Sequence, residues 1–362
     1  MPALLCAAGI LAPAQQNEKP LRLAVDGLVH GHVVGFFGQA LKRPNVQIVG
    51  IAEPDRALFD KYAARYGLSR DLYFPSLEVM LSKTHPEAVV LYTNTSDHRD
   101  AVEKCAENHT PVMMEKPLAV SYRDARAMAD AASAGHIHVL VNYETTWYSS
   151  NKAAYDLARQ GELGDIRKMV FRDGHQGPKE IHVQPEFLAW LTDPVKNGAG
   201  ALFDFGCYGA DLATWLMNGQ SPLTVTAVTQ QIKPDIYPHV DDEADVMVTY
   251  PNAIAILQGS WNWTYAIKDG QIFGTKEAVQ TVLRDKIEVR RQGQTEVPAT
   301  TAQPIAPPYD DSLHYLAAVV RGEIPDDETN LTGLKTNLIV TEILDAARQS
   351  ARTHKTVTLP LE

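Results

Sequence analysis

The chain has 362 residues, a formal net charge of -11, 45% hydrophobic and 21% charged residues; it is too long for one small core, and two domains are expected. The negative charge and the lack of any dense lysine and arginine run argue against a nucleic-acid partner, and no apolar run is long enough to span a bilayer. Cys6, Cys105 and Cys207 have no paired spacing, so neither a disulfide framework nor a cysteine zinc site is suggested.

Residues 1 to 19 read as a leader. Ala3 to Ala12 is apolar, and Ala12-Pro13-Ala14 offers the small residues a signal peptidase reads, although no lysine or arginine precedes the apolar stretch. An exported, periplasmic protein is expected if the leader is real, and a cytoplasmic one with a frayed extension if it is not.

From residue 20 to about 143 the pattern alternates. Apolar, β-rich runs at Leu21 to Val25, Val46 to Ala52, Ala88 to Tyr92, Pro111 to Met114 and Val139 to Val141 are separated by helical periodicity at Asp55 to Tyr66, Asp97 to Asn108 and Ser121 to Ala134. Strand and helix repeated in this order predict right-handed crossovers and a doubly wound parallel sheet of the Rossmann, dinucleotide-binding kind.

The turn after the first strand should be the phosphate loop, and it departs from G-x-G-x-x-G. Gly27 keeps the first place, but Val29 and His32 fill the second and third. Gly31 is the candidate for opening the helix whose amides bind anion. His30 and His32 are either phosphate contacts or polar surface groups beside a helix start. Glu53 ends the second strand, where an acid accepts from the adenosine ribose and repels a 2′-phosphate; it favours NAD over NADP, with Arg56 near enough to leave NADP possible. The turn Thr93-Asn94-Thr95, leading to Asp97 and His98, suits the nicotinamide ribose, and Asp97 also reads as a helix N-cap. Glu115-Lys116-Pro117 follows a core strand at the sheet's carboxyl edge, where ligands bind in open parallel sheets.

After Asn142 comes a helix at Asn151 to Gln160. Strands follow at Ile166 to Arg172, Leu223 to Gln231, Ala244 to Tyr250, Ala253 to Gln258, Gln271 to Phe273, Ala278 to Leu283 and Ile287 to Arg290, with close turns such as Pro251-Asn252. They predict a mostly antiparallel sheet in a second, α+β domain over 144 to 362. Between its first two strands lies a helix in which Asp204 and Tyr208 are spaced to share one face. A tyrosine can take a hydroxyl proton if a cation stabilises its phenolate, and Lys116 is the candidate cation; a helix-capping Asp204 and a packed Tyr208 are the alternative. His239-Val240-Asp241-Asp242-Glu243 resembles a ligand cluster, but a turn before a strand is the simpler account, so no metal site is assigned.

Together these features resemble the Gfo/Idh/MocA family of sugar and polyol dehydrogenases. The resemblance rests on Glu115-Lys116-Pro117-Leu118, on Asp204, Gly206, Tyr208 and Asp211, on His98, on Gly161-Glu162-Leu163-Gly164, on Val240 to Ala244 and on the ending Ser350 to Pro360. It implies that Lys116 activates a substrate hydroxyl, that Tyr208 exchanges the proton and that Asp204 orients both. It also implies a C-terminal helix, Leu331 to Ala351, packed back across the first domain, and an open sheet face serving as the subunit interface of a dimer or tetramer. His175, His182, Trp147 and Trp190 fall in or near segments that face the cleft in relatives. The expected activity is NAD(P)-dependent hydride transfer with a sugar, sugar derivative or cyclic polyol. The alternatives are an NAD-dependent glycosidase working by transient oxidation and elimination, and a non-catalytic sugar-binding or regulatory protein.

Overall fold

The structure, a computed structural model, describes residues 19–361; the leader reading falls almost wholly outside them. The first half runs β1 (Leu21–Asp26), α1 (Val33–Ala40), β2 (Val46–Ala52), α2 (Arg56–Tyr66), β3 (Tyr73–Phe74), α3 (Leu77–Thr84), β4 (Ala88–Leu91), α4 (His98–Glu107), β5 (Val112–Glu115), α5 (Tyr122–Gly135) and β6 (Val139–Asn142). Its six strands pair in parallel in the order β3-β2-β1-β4-β5-β6, the doubly wound arrangement expected. Strand order reverses beside β1, so the crevice at its carboxyl end is the ligand position of such sheets. Two helix starts are built as the sequence indicates: Asp55 accepts from the Ala57 and Leu58 N–H groups, and Ser121 from Asp124 N–H. Asp97 differs. It precedes α4 without capping it, because its carboxylate instead accepts from Asn94 Nδ2 at 2.7 Å.

The chain then forms α6 (Ser149–Arg159), β7 (Ile166–Gly174), α7 (Pro185–Leu191), α8 (Pro194–Asn197), α9 (Ala201–Leu216), β8 (Thr224–Gln230), β9 (Glu243–Thr249), β10 (Ile254–Ser260), β11 (Ile267–Gly274), β12 (Glu277–Leu283), β13 (Lys286–Arg291), β14 (Thr300–Thr301), α10 (Ser312–Val320), α11 (Leu334–Thr353) and β15 (Val357–Thr358). Nine strands make one sheet in the order β14-β13-β12-β11-β7-β10-β9-β8-β15, antiparallel except where β10 runs parallel to β7. One face is apolar, with Ala255, Leu257, Val246 and Val248 buried, and α9 lies against it. Alternation along the strands puts Val228, Met247, Ile254 and Phe273 on the other, open face, all exposed.

The two halves are not sequential blocks. Leu313, Tyr315, Leu316 and Val319 of α10 join the first domain's core beside Leu23, Phe36, Tyr92 and Leu140, and Arg43 makes a two-bond ion pair with Asp311 at the head of α10. The predicted C-terminal helix is present as α11, which packs on α9 and α5 and ties back through Tyr143 Oη to Asn337 Oδ1 at 2.9 Å. Among the described residues no helix is long and apolar enough to cross a membrane.

Candidate active site between the two domains

Strand β5 is buried along its whole length and delivers Lys116, 5% exposed, into the space beneath α9. Its ammonium donates to Asp204 Oδ1 at 2.6 Å and to the Asp204 carbonyl at 2.8 Å. With three donors and two given to Asp204, one remains for a ligand. Trp261 Nε1 donates to the other carboxylate oxygen at 2.9 Å, so both Asp204 oxygens are held. Burial pulls the Lys116 ammonium down, but the Asp204 charge outweighs it and the pKa stands above the ordinary lysine value. Burial likewise pushes Asp204 up, and Lys116 reverses that, leaving the carboxyl below its usual range. Both groups are therefore charged at neutral pH.

The start of α9 fixes where Asp204 sits. Asp241 accepts from the Gly200 and Leu202 N–H groups at 2.9 and 2.7 Å, and its carbonyl accepts from Ala201 N–H. A Cβ on Gly200 would lie 1.8 Å from that carbonyl, so only glycine allows this close approach. The acidic run 241–243 is thus committed to protein: Asp241 caps α9, and Asp242 accepts from the Ile232 and Lys233 N–H groups.

Tyr208, one turn beyond Asp204, is 1% exposed, and burial drives its phenol well above the ordinary tyrosine pKa. The expected cation is not the one at its hydroxyl. Lys116 Nζ sits over the ring, 5.1 Å from its centroid, whereas Lys268 Nζ is 3.3 Å from the hydroxyl oxygen and 4.4 Å from the centroid. Lys268 is paired in turn with Glu144. Burial would raise Glu144, but the Lys268 charge brings it down to about 2. Lys268, Glu144 and Trp261 were not singled out from the sequence, because they reach the site from β11, the β6–α6 connection and the end of β10 with no short motif to mark them. Asp211, a further turn along α9, is buried without a hydrogen-bond partner among the described residues, and burial lifts its pKa well above the ordinary carboxylate value.

On the first-domain side, Gly27 has φ +79, and a Cβ there would meet Thr93 N at 2.8 Å, so the tight turn requires glycine. Glu53 is buried and spends its oxygens on the Leu28 and Asp55 N–H groups at 2.8 and 2.9 Å, setting the loop's shape from within. His30 is no surface group. It is 2% exposed, enclosed by Tyr92, Phe187 and Trp190, and burial lowers its pKa well below the ordinary value, so the ring is neutral. Gly31 does not open the helix; α1 begins at Val33, and the space a Gly31 Cβ would need is taken by Phe187 and Gln184 at the edge of the cleft. His32 bonds Glu115 through Nδ1 at 2.8 Å, and Asn142 Nδ2 donates to the other Glu115 oxygen. Of the 93–98 turn, Asn94 holds Asp97 and Ser96, and Thr95 is buried with Oγ1 unpartnered among the described residues. His98 Nδ1 faces the Leu118 carbonyl at 3.1 Å; a carbonyl only accepts, so this nitrogen carries the proton and His98 braces the loop that follows Lys116.

Gly31, His32, Lys116, Asp204 and Tyr208 line one cleft of about 710 Å³. It therefore joins the end of the phosphate loop, at Gly31 and His32, to the acid and phenol, whereas Gly27, Glu53, Thr93, Asn94 and Glu115 lie outside its lining; a nicotinamide at the sheet edge would place a substrate carbon beyond it. His175 lines the same cleft, stacked edge-on against Phe205. Trp190 touches the phosphate loop instead, donating to the Val29 carbonyl. Trp147 bonds Asn142 and packs by Tyr315, and His182 is exposed outside the lining.

Residues 22–143 match the oxidoreductase family with an NAD-binding Rossmann fold, and residues 151–280 match the GFO/IDH/MocA C-terminal domain. The chain is 25% identical over 233 residues to a trans-1,2-dihydrobenzene-1,2-diol dehydrogenase of Oryctolagus cuniculus, covering 63% of this chain and 64% of that protein, so it spans just under two thirds of that relative's length. It is 24% identical to the 2,7-anhydro-N-acetylneuraminate hydratase of Escherichia coli, over 73% of this chain and 70% of that one. The crystal structure of an aldose-aldose oxidoreductase from Caulobacter crescentus complexed with glycerol has the same fold, with a TM-score of 0.78, 20% identity and coverage of 94% of this chain and 100% of that one.

Three substitutions test the site. Lys116→Met leaves Asp204 buried without its counter-charge and should cost about 3–5 kcal/mol of stability by denaturant unfolding, whereas Lys116→Met with Asp204→Leu should recover much of that; equal stability of the two variants would refute an ionised pair. Lys268→Met removes the cation that favours the Tyr208 phenolate, so in the oxidation direction the rise of rate with pH should move to higher pH. An unchanged pH–rate profile would exclude that role.

Proposed function

The chain belongs to the Gfo/Idh/MocA oxidoreductases, with an NAD-binding Rossmann fold at residues 22–143, and from that premise we propose that it is an NAD-dependent dehydrogenase of a sugar, sugar derivative or cyclic polyol. The observation that carries this reading is the convergence of Lys116, Asp204, Tyr208 and Lys268 on one cleft that reaches the phosphate loop at Gly31 and His32. Gly31 and His32, which line that cleft, are our candidates for meeting the dinucleotide, with Gly27, Thr93, Asn94 and Glu115 in the segments beside them and Glu53, His30, Thr95 and His98 shaping those loops. The nicotinamide, when bound, supplies the hydride acceptor.

The chain's own part is proton handling. Lys116, fixed by Asp204, turns its remaining N–H toward the substrate hydroxyl and favours its ionisation. Tyr208 takes the hydroxyl proton, and Lys268 at its oxygen steadies the phenolate form. Glu144 keeps Lys268 in place from the rim of the cleft. The names of the relatives, a diol dehydrogenase and an aldose-aldose oxidoreductase, support a vicinal diol or sugar as the substrate class.

Incubation with NAD and a panel of free sugars and aryl glycosides should accumulate NADH with at least one of them, and Lys116→Ala and Tyr208→Phe should each lower that turnover by orders of magnitude. Release of aglycone without NADH would establish the glycosidase reading instead, and failure to bind any nicotinamide would leave a sugar-binding protein. The exposed Val228, Met247, Ile254 and Phe273 on the open sheet face support self-association through that face. Sedimentation should find a dimer or larger, and Met247→Lys should shift it toward the monomer; a monomeric wild-type chain would count against it.

A further inference from the structure

The cleft is polar at its floor, and at its mouth three large apolar side chains stand beside Glu144 and Arg284. Lys116, Asp204, Tyr208, Lys268 and His175 occupy the floor. At the mouth stand Ile181, Tyr265 and Leu283, 43%, 62% and 61% exposed. Large apolar side chains left singly in water are ordinary on a protein surface. These three are not scattered. They come from separate stretches of chain, the β7–α7 loop, the approach to β11 and the end of β12, and line one opening.

The mouth is also held rather than loose. Lys233 Nζ donates to the Gln176 carbonyl, to Glu180 and to the Trp261 carbonyl, at 2.7, 2.6 and 2.6 Å, which fastens the loop carrying Ile181. Gln176 Nε2 donates to the Thr264 carbonyl at 3.1 Å, tying that loop to the residue before Tyr265. Leu283 is followed by Arg284, whose guanidinium lies over the Tyr148 ring and whose carbonyl accepts from Ser150 N–H.

A free monosaccharide seated on Lys116 and Tyr208 would leave these side chains in water. A second sugar ring would bring hydroxyls to Ile181 and Leu283, which have no side-chain donor or acceptor to meet them. We propose that the mouth is a subsite for an apolar, preferably aromatic, aglycone, so that the substrate is a glycoside or similar conjugate whose sugar reacts at the floor while its aglycone covers Ile181, Tyr265 and Leu283. This rests on the carbohydrate reading above but concerns binding, and it is tested separately from turnover.

Phenyl and methyl glycosides of the same hexoses, offered in pairs to the full-length protein with NAD, measure the subsite by calorimetry and by KM. In at least one pair the phenyl member should bind roughly 10-fold tighter or better, the scale on which apolar pockets discriminate. The triple variant Ile181→Ser, Tyr265→Ser and Leu283→Ser should erase that preference while leaving the affinity for the methyl glycoside and its kcat unchanged. No pair with a phenyl preference, a preference that survives the triple variant, or tighter binding of the matching disaccharide would each overturn the proposal. So would a change of sedimentation in the triple variant, which would make the mouth a contact between subunits. A phenyl preference by calorimetry without any turnover would keep the subsite and refute the dehydrogenase reading alone.

Discussion

The buried contact between Lys116 and Asp204 is the interaction on which the rest of the site depends. One charge comes from the first sheet and the other from the first turn of α9, and neither could stay ionised alone at such burial. Each holds the other in its charged form, so the pair fixes two side chains and the spacing of two domains together. The supports around it serve that purpose: Trp261 holds the second carboxylate oxygen, Asp241 fixes the start of α9, and His98 braces the backbone just past Lys116.

Much of this was legible in the sequence because the residues concerned lie in short stretches with a fixed relation to a strand end or a helix. Glu115-Lys116-Pro117 marks the end of a core strand, and Asp204 with Tyr208 share a helix face whatever the tertiary context. The strand runs were legible for the same reason, since alternation and apolar blocks are local signals. Lys268 was not, because its approach to Tyr208 depends on how β11 lies beside β7, a pairing over a long sequence separation. Nor was α10: nothing in the apolar stretch Leu313 to Val319 says which core it enters.

The phosphate loop shows the opposite case, in which position was legible and the contacts were not. Glu53 stands at the expected strand end, yet its carboxylate is turned onto the loop's own N–H groups. His30 looks like a surface histidine by its neighbours in sequence and is sealed by aromatic rings from the second domain. Val29 and His32, the departures from the glycine pattern, thus belong to a loop stabilised by side-chain contacts on both sides, with Trp190 bonded to the Val29 carbonyl and His32 to Glu115.

The return of α10 into the first core has a consequence for modularity. Residues 20–143 carry a complete parallel sheet, but the surface of that sheet's helical layer is finished by α10, Ser312–Val320, far along the chain. A graft that moved only the contiguous amino-terminal half into another scaffold would carry an open apolar seam where Leu313, Leu316 and Val319 belong. The smallest transplantable unit of the first domain therefore includes α10 as well as residues 20–143, and a change of ligand preference that leaves this seam intact is one confined to loops at the cleft.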